Sequence, residues 1–229
     1  MATPLFEPVV VKAELTPKSD KTPIKIKVGR PRGTVYWGGA GLNGSYIADQ
    51  VASLQEAGIK HVWVGKRTQG QIRDAIRSAL DLRLNTAGNE KTWMIEGLEQ
   101  VDADQFNLIG YSYGSLMAAH TAMAYSRFHH IVDHLVLIAS PISKDFLGKL
   151  QNNGNIRRVI VLNLTHHGDP IYAGMPLWKL WLSKGQLEDE NKLSQDIAGF
   201  GHFYYRPNTR LGRQRRRELA KYLYEQGLR

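Results

Sequence analysis

Two runs of four apolar residues, Leu135-Val136-Leu137-Ile138 and Val159-Ile160-Val161-Leu162, contain no polar residue in alternation. A strand with one wet face alternates apolar and polar side chains. An unbroken apolar run suits a strand covered on both faces, as the central strands of parallel sheets are. Parallel strands need crossover helices between them, and the sequence supplies candidates. Thr34-Val35-Tyr36-Trp37, His61–Val64 and Phe106–Ile109 read as further strands. Ile47, Val51 and Leu54 recur at helical spacing and end at Gly58. Ile72, Ile76 and Leu80 mark a second helix, Trp93 to Val101 a third, and small residues fill a fourth from Ser115 through Ala124. Strand and helix alternate at least four times. That pattern implies an α/β fold with a mostly parallel central sheet and helices on both faces. At 229 residues the chain fits one core, since single cores grow to roughly 250–300 residues before chains split.

The two ends differ from the middle. Pro4, Pro8, Pro17 and Pro23 predict an irregular arm over residues 1–23, with the folded domain over 24–229. Ile24–Val28 alternates apolar and basic residues, which suits an edge strand whose lysines discourage further pairing. Net charge is +9, and the surplus sits at the two ends around a nearly neutral body. The densest basic run, Arg213-Gln214-Arg215-Arg216-Arg217, could bind phosphates; the reading preferred is a solvated face of the last helix. No aromatics interleave with it, so a dedicated nucleic-acid module is not expected. The chain has no cysteine, which excludes disulfides, a thiol nucleophile and cysteine-ligated metal. No apolar stretch reaches the roughly 18 residues of a membrane-spanning helix. Met1–Leu15 lacks the pattern of a secretory signal. The expectation is a soluble protein, cytoplasmic or exported by a signal-independent route.

Gly110-Tyr111-Ser112-Tyr113-Gly114 is a G-x-S-x-G between an apolar strand and a small-residue helix. That context gives the motif its mechanical meaning. The serine sits on a sharp strand-to-helix turn, and the flanking glycines leave room for the backbone to pass. The serine Oγ then stands clear of the sheet, near the positive end of the helix.

Three further segments complete a pattern. Trp37-Gly38-Gly39-Ala40-Gly41 follows an early strand. Gly168-Asp169-Pro170 lies just past Val159–Leu162, and Gly201-His202 precedes the last helix. With the elbow, these make the chain resemble the α/β-hydrolase superfamily over roughly residues 24–229. Bacterial lipases and thioesterases, including lipase effectors delivered to rival cells, are the members it is similar to. The resemblance implies a three-layer fold with Ser112 as nucleophile, Asp169 as acid and His202 as base, in that chain order. It places the oxyanion donors at the backbone N–H groups of Tyr113 and of Gly39 or Ala40. Trp37 stands where such hydrolases often carry histidine.

Rivals exist for most of these roles. His166 and His167 follow a strand at its C-terminal end and compete with His202; His167 is expected to face the substrate instead, with Tyr111 and Trp178. His61, His120, His129, His130 and His134 fall away from that end. Asp145 is the reserve acid, and Asp196 a weaker one. Gly39-x-Gly41-x-x-Gly44 also fits a dinucleotide-binding turn, but no acidic residue ends a strand about 20 residues on. Adjacent His166 and His167 diverge and lack a third ligand, so no metal and no cofactor are expected.

The expected reaction is hydrolysis of a carboxylic ester through an acyl-serine, as in a lipase, phospholipase or esterase. An acyl thioesterase is the alternative, and a non-catalytic binding module on the same fold is the reading from another class. Met175, Leu177, Trp178, Leu180 and Trp181 form either a cap over residues 172–196 or part of the core. The expected partners are an acyl ester or lipid and, through the basic ends, an anionic membrane surface. Each well-placed basic residue would contribute roughly 1 kcal/mol there.

Overall fold

A computed structural model describes residues 10–13, 24–27, 30–39, 45–65, 94–95, 97–196 and 199–229. Near the N-terminus β1 (Val10–Ala13) and β2 (Ile24–Lys27) pair antiparallel, Val10 opposite Lys27. The arm is therefore not irregular throughout. Its prolines lie outside the paired residues, and Val10-Val11 supplies the β-branched partner that Ile24–Lys27 needs. The lysines of β2 do not prevent this pairing.

The main sheet has five parallel strands: β3 (Gly33–Trp37), β4 (Val62–Val64), β5 (Phe106–Tyr111), β6 (His134–Ile138) and β7 (Val159–Leu162). Their spatial order is β4-β3-β5-β6-β7, so β5 is central. The helices are α1 (Ser45–Glu56), α2 (Tyr113–Arg127), α3 (Lys144–Gln151), α4 (Leu177–Asp196) and α5 (Arg210–Glu225). Alternate residues of each strand meet opposite layers. Val35, Leu108, Leu135 and Leu137 pack with Leu116 and Met117 of α2 and with Phe146 and Leu150 of α3. Tyr36, Ile109, Val136 and Ile138 pack with Ile47 and Leu54 of α1 and with Leu219 and Leu223 of α5. Two covered faces explain why β6 has no polar alternation. With β5 central and the G-x-S-x-G at its C-terminal end, this is an α/β-hydrolase fold.

Several expectations change. β7 was expected among the doubly buried central strands, but it lies at the edge of the described sheet. Only Ile160 of its four residues is buried, since no described strand pairs on its far side. The helix expected over Trp93–Val101 is, where described, a 3₁₀ turn at Leu98–Gln100, entered through Gly97 at φ 86°. The helix expected at Ile72–Leu80 lies outside the described residues. The arginine run is not one solvated face. Arg213 and Arg217 are exposed, while Arg216 is 0% exposed. Its Nε donates to Asp49 Oδ2 at 2.5 Å, and Nη1 donates to the carbonyls of Tyr205 and Pro207. The buried stripe of α5 runs through position 216 because Leu219, Ala220 and Leu223 share it.

Three histidines, His130, His134 and His167, are expected to make the fold acid-sensitive. His134 Nδ1 lies 2.8 Å from Asn107 Oδ1. Burial pushes the His134 pKa below its ordinary value of 6.5, against the pull of Asp133. Burial lowers His130 and His167 in the same sense. The unfolded chain therefore binds more protons than the folded one just below pH 6.5. Stability from these groups is fully present above 6.5 and is lost as pH falls toward the folded values. The thermal midpoint is expected to be flat from pH 8 to 7 and to drop below 6.5. His134→Asn, which keeps a donor toward Asn107, should flatten that drop in scanning calorimetry; an unchanged slope would exonerate His134.

Candidate active site

Strand β5 delivers the chain to Ser112, which adopts φ 55° and ψ −124° and caps the start of α2. A non-glycine residue there is strained by about 1–3 kcal/mol. The surroundings fix it in place. Ser112 N–H donates to the Ile138 carbonyl at 2.8 Å, and Ser115 Oγ donates to the Ser112 carbonyl. Ser115 Oγ also lies 2.7 Å from Ser140 Oγ, which ties the elbow to the end of β6. Both flanking glycines are sterically required. A Cβ on Gly110 would stand 2.3 Å from the Gly114 carbonyl oxygen. One on Gly114 would stand 2.2 Å from that of Gly38. Gly114→Ala must push α2 away from the loop after β3, and a loss of about 1–3 kcal/mol is expected. A urea midpoint that falls with unchanged slope would match this; an unmoved midpoint would contradict it.

His202 arrives from a 3₁₀ turn, Gly201–Phe203, opened by Gly201 at φ 54°. Its Nε2 lies 2.6 Å from Ser112 Oγ, and its Nδ1 lies 3.0 Å from Asp169 Oδ2 and 3.1 Å from Oδ1. Asp169 follows β7 after the Thr165–His167 turn and Gly168 at φ 89°. Its Oδ1 accepts the Ile171 N–H at 2.8 Å. His202 is 7% exposed and Asp169 4%. A carboxylate against Nδ1 selects the tautomer with the proton on Nδ1, leaving Nε2 to accept from the serine hydroxyl.

Tyr111, expected among the substrate-facing residues, lies in the core. It is 3% exposed, its hydroxyl donates to the His202 carbonyl, and its ring lies 5.9 Å from the imidazole at 21°. It holds the histidine loop from beneath. His167 stacks on Tyr204 at 3.7 Å and 12°, and the Arg215 guanidinium lies 3.9 Å from the same ring. Arg215 Nη1 also donates to the carbonyls of Gly199 and Tyr204. His167 thus braces the loop that carries His202, in addition to bordering it.

Trp178 stands 59% exposed at the start of α4, near Trp181 and Leu182. The same helix buries Leu180 with Ile171 and Met175, and it packs against the Gly201–Phe203 turn. The segment expected as cap or core thus buries some of its apolar residues and exposes others. His120 packs on Phe146 and His61 on Trp63, both away from Ser112. Asp145 is exposed in the first turn of α3. Among the described residues no group of three histidines or acids could hold a metal ion. None of the helices among them is long and apolar enough to cross a membrane.

Tyr113 opens α2 immediately after Ser112, at the positive end of the helix. The Gly39 N–H is already committed: it donates to Tyr46 Oη at 2.7 Å. Ala40 lies outside the described residues. Tyr46 carried no sequence signal, since it sits in the first turn of α1 amid ordinary helical spacing.

No family model matches this chain, and no curated protein matches it. Among solved structures, the hyperthermophilic esterase from the archaeon Pyrobaculum calidifontis aligns over 90% of this chain and 81% of its own. The two are 14% identical, with a TM-score of 0.41.

Proposed function

We propose that the chain is a serine hydrolase that cleaves carboxylic esters through an acyl-serine intermediate. The supporting observation is the unbroken relay from Ser112 Oγ to His202 Nε2 at 2.6 Å and from His202 Nδ1 to Asp169 at 3.0 Å. A neutral serine hydroxyl is a weak nucleophile and needs a base within hydrogen-bond reach. As Ser112 Oγ attacks the ester carbonyl, its proton passes to Nε2, and the Asp169 carboxylate stabilises the imidazolium. The tetrahedral intermediate collapses, the C–O bond to the alcohol breaks, and Nε2 protonates the departing oxygen. Water then attacks the acyl-serine with His202 again as base, releasing the acid and restoring Ser112.

The acyl side of the substrate is read as apolar. Trp178, Trp181 and Leu182 stand at helical spacings of three and four, exposed on the helix that packs against the His202 turn. Exposed apolar residues beside a site, on a chain of net charge +9, favour esters presented at an anionic lipid surface.

A fluorophosphonate probe is expected to label Ser112 alone, read by mass spectrometry of the digested adduct. Turnover of p-nitrophenyl esters should rise from acetyl to long acyl chains and rise further with anionic vesicles. Label on another residue would remove the serine assignment. Faster cleavage of acyl thioesters than of esters would redirect the substrate class.

A further inference from the structure

An oxyanion needs at least two fixed donors, and the one expected from the loop after β3 is engaged elsewhere. Gly39 N–H points at Tyr46 Oη, not at an open position. Tyr46 is 7% exposed, and among the described residues no acceptor takes its hydroxyl proton. A buried hydroxyl proton without an acceptor is unfavourable unless a ligand completes it. The hydroxyl and the nucleophile both border Gly39. A Cβ built on Gly39 would stand 3.3 Å from Tyr46 Oη and 3.6 Å from Ser112 Cβ. The ring is held in place as well. It meets Tyr111 edge-on at 6.2 Å and 85°, and Tyr111 stacks on His202.

From this arrangement we infer that the Tyr46 hydroxyl, held by Gly39 N–H, is the second oxyanion donor beside the Tyr113 backbone. The inference rests on the serine-hydrolase reading and names a catalytic residue within it. When Ser112 attacks, the carbonyl π electrons move onto oxygen, and the Tyr46 O–H donates to that charge without giving up its proton. Accepting from Gly39 strengthens the phenol as a donor, because linked hydrogen bonds polarise one another. Burial pushes the phenol pKa above its ordinary value, so the proton is present at neutral pH. A side-chain donor in place of the glycine amide also explains why Gly38 and Gly39 crowd the hydroxyl: a Cβ on Gly38 would stand 3.0 Å from it.

The test compares wild type, Tyr46→Phe and Ser112→Ala on p-nitrophenyl acetate, with circular dichroism to verify folding. Tyr46→Phe is expected to lose about 10²–10³-fold in kcat with KM nearly unchanged, the usual effect of removing one oxyanion donor. If Tyr46 instead plugs the hole and a substrate displaces it, Tyr46→Phe will match or exceed wild type, and the inference is overturned. Should Ser112→Ala hydrolyse as well as wild type, the hydrolase reading fails and takes this one with it. A second measurement leaves the chain unaltered: a crystal structure of wild type inhibited with diethyl p-nitrophenyl phosphate. The phosphoryl oxygen is expected within hydrogen-bond distance of Tyr46 Oη. Contact with Gly39 N instead, with Tyr46 swung aside, would overturn the assignment.

Discussion

Replacing Ser112 with alanine is expected to lower kcat for ester hydrolysis by about 10⁶-fold, leaving only what the oxyanion donors and binding sustain. The size follows from the chemistry. Without the Oγ there is no acyl-enzyme, and His202 has no proton to take. The fold should hardly respond. Ser112 N–H bonds to Ile138 through the backbone, and alanine keeps the same φ and ψ. The loss is one Ser112–His202 hydrogen bond, worth about 1 kcal/mol. Steady-state kinetics beside a thermal scan would separate the two. A variant within tenfold of wild type, at the same melting point, would remove Ser112 from the reaction.

The largest stability effect is expected from Asp49→Ala. It strips the carboxylate from Arg216, whose side chain is 0% exposed while that of Asp49 is 29% exposed. Removing one partner of a buried pair costs about 3–5 kcal/mol, because a charge is left without compensation. Arg216 would keep the carbonyls of Tyr205 and Pro207, so the lower end is expected. That is a large share of the about 5–15 kcal/mol by which domains are stable. Urea unfolding would measure it, and a change under 1 kcal/mol would show that the pair contributes little. Asp49→Leu with Arg216→Met should recover most of the loss if burial of charge is the cause.

The fold was legible wherever a strand is covered on both faces. β6 is apolar at each of its core positions because α2 with α3 takes one set of side chains and α1 with α5 the other. β7 has nearly the same composition but lies at the described edge. Local pattern cannot distinguish these positions, because edge or centre depends on which strands pair. The elbow was legible because a Cβ on Gly110 or Gly114 would stand 2.2–2.3 Å from a backbone oxygen, which leaves glycine no substitute. Chain order, with the places of Asp169 past β7 and His202 before the last helix, suggested these two, and the structure brings His202 to Ser112 and Asp169 to His202.

Other features needed the third dimension. The fate of the Gly39 N–H depends on a tyrosine from the first turn of α1, and no spacing rule links the two. Within the arginine run, only the packing of α5 on α1 selects Arg216 for burial and leaves Arg213 and Arg217 in water. Tyr111 was misread from its place in the motif. Period-two alternation along β5 puts it on the side of Ile109, facing the core, and that signal was available.

The Ser112–His202 contact joins residues 90 positions apart, and the sheet reaches the histidine loop through the Tyr111 hydroxyl at the end of β5. Arg215 and Arg216 also grip it through four carbonyls, so its shape depends on α5, which packs on α1. The strained serine can therefore be displayed by the strands and α2 well before any base reaches it. The relay is thus expected to form only once α5 has docked. A partly folded chain would expose an idle nucleophile, and reactivity would appear all at once with the docking of the last helix.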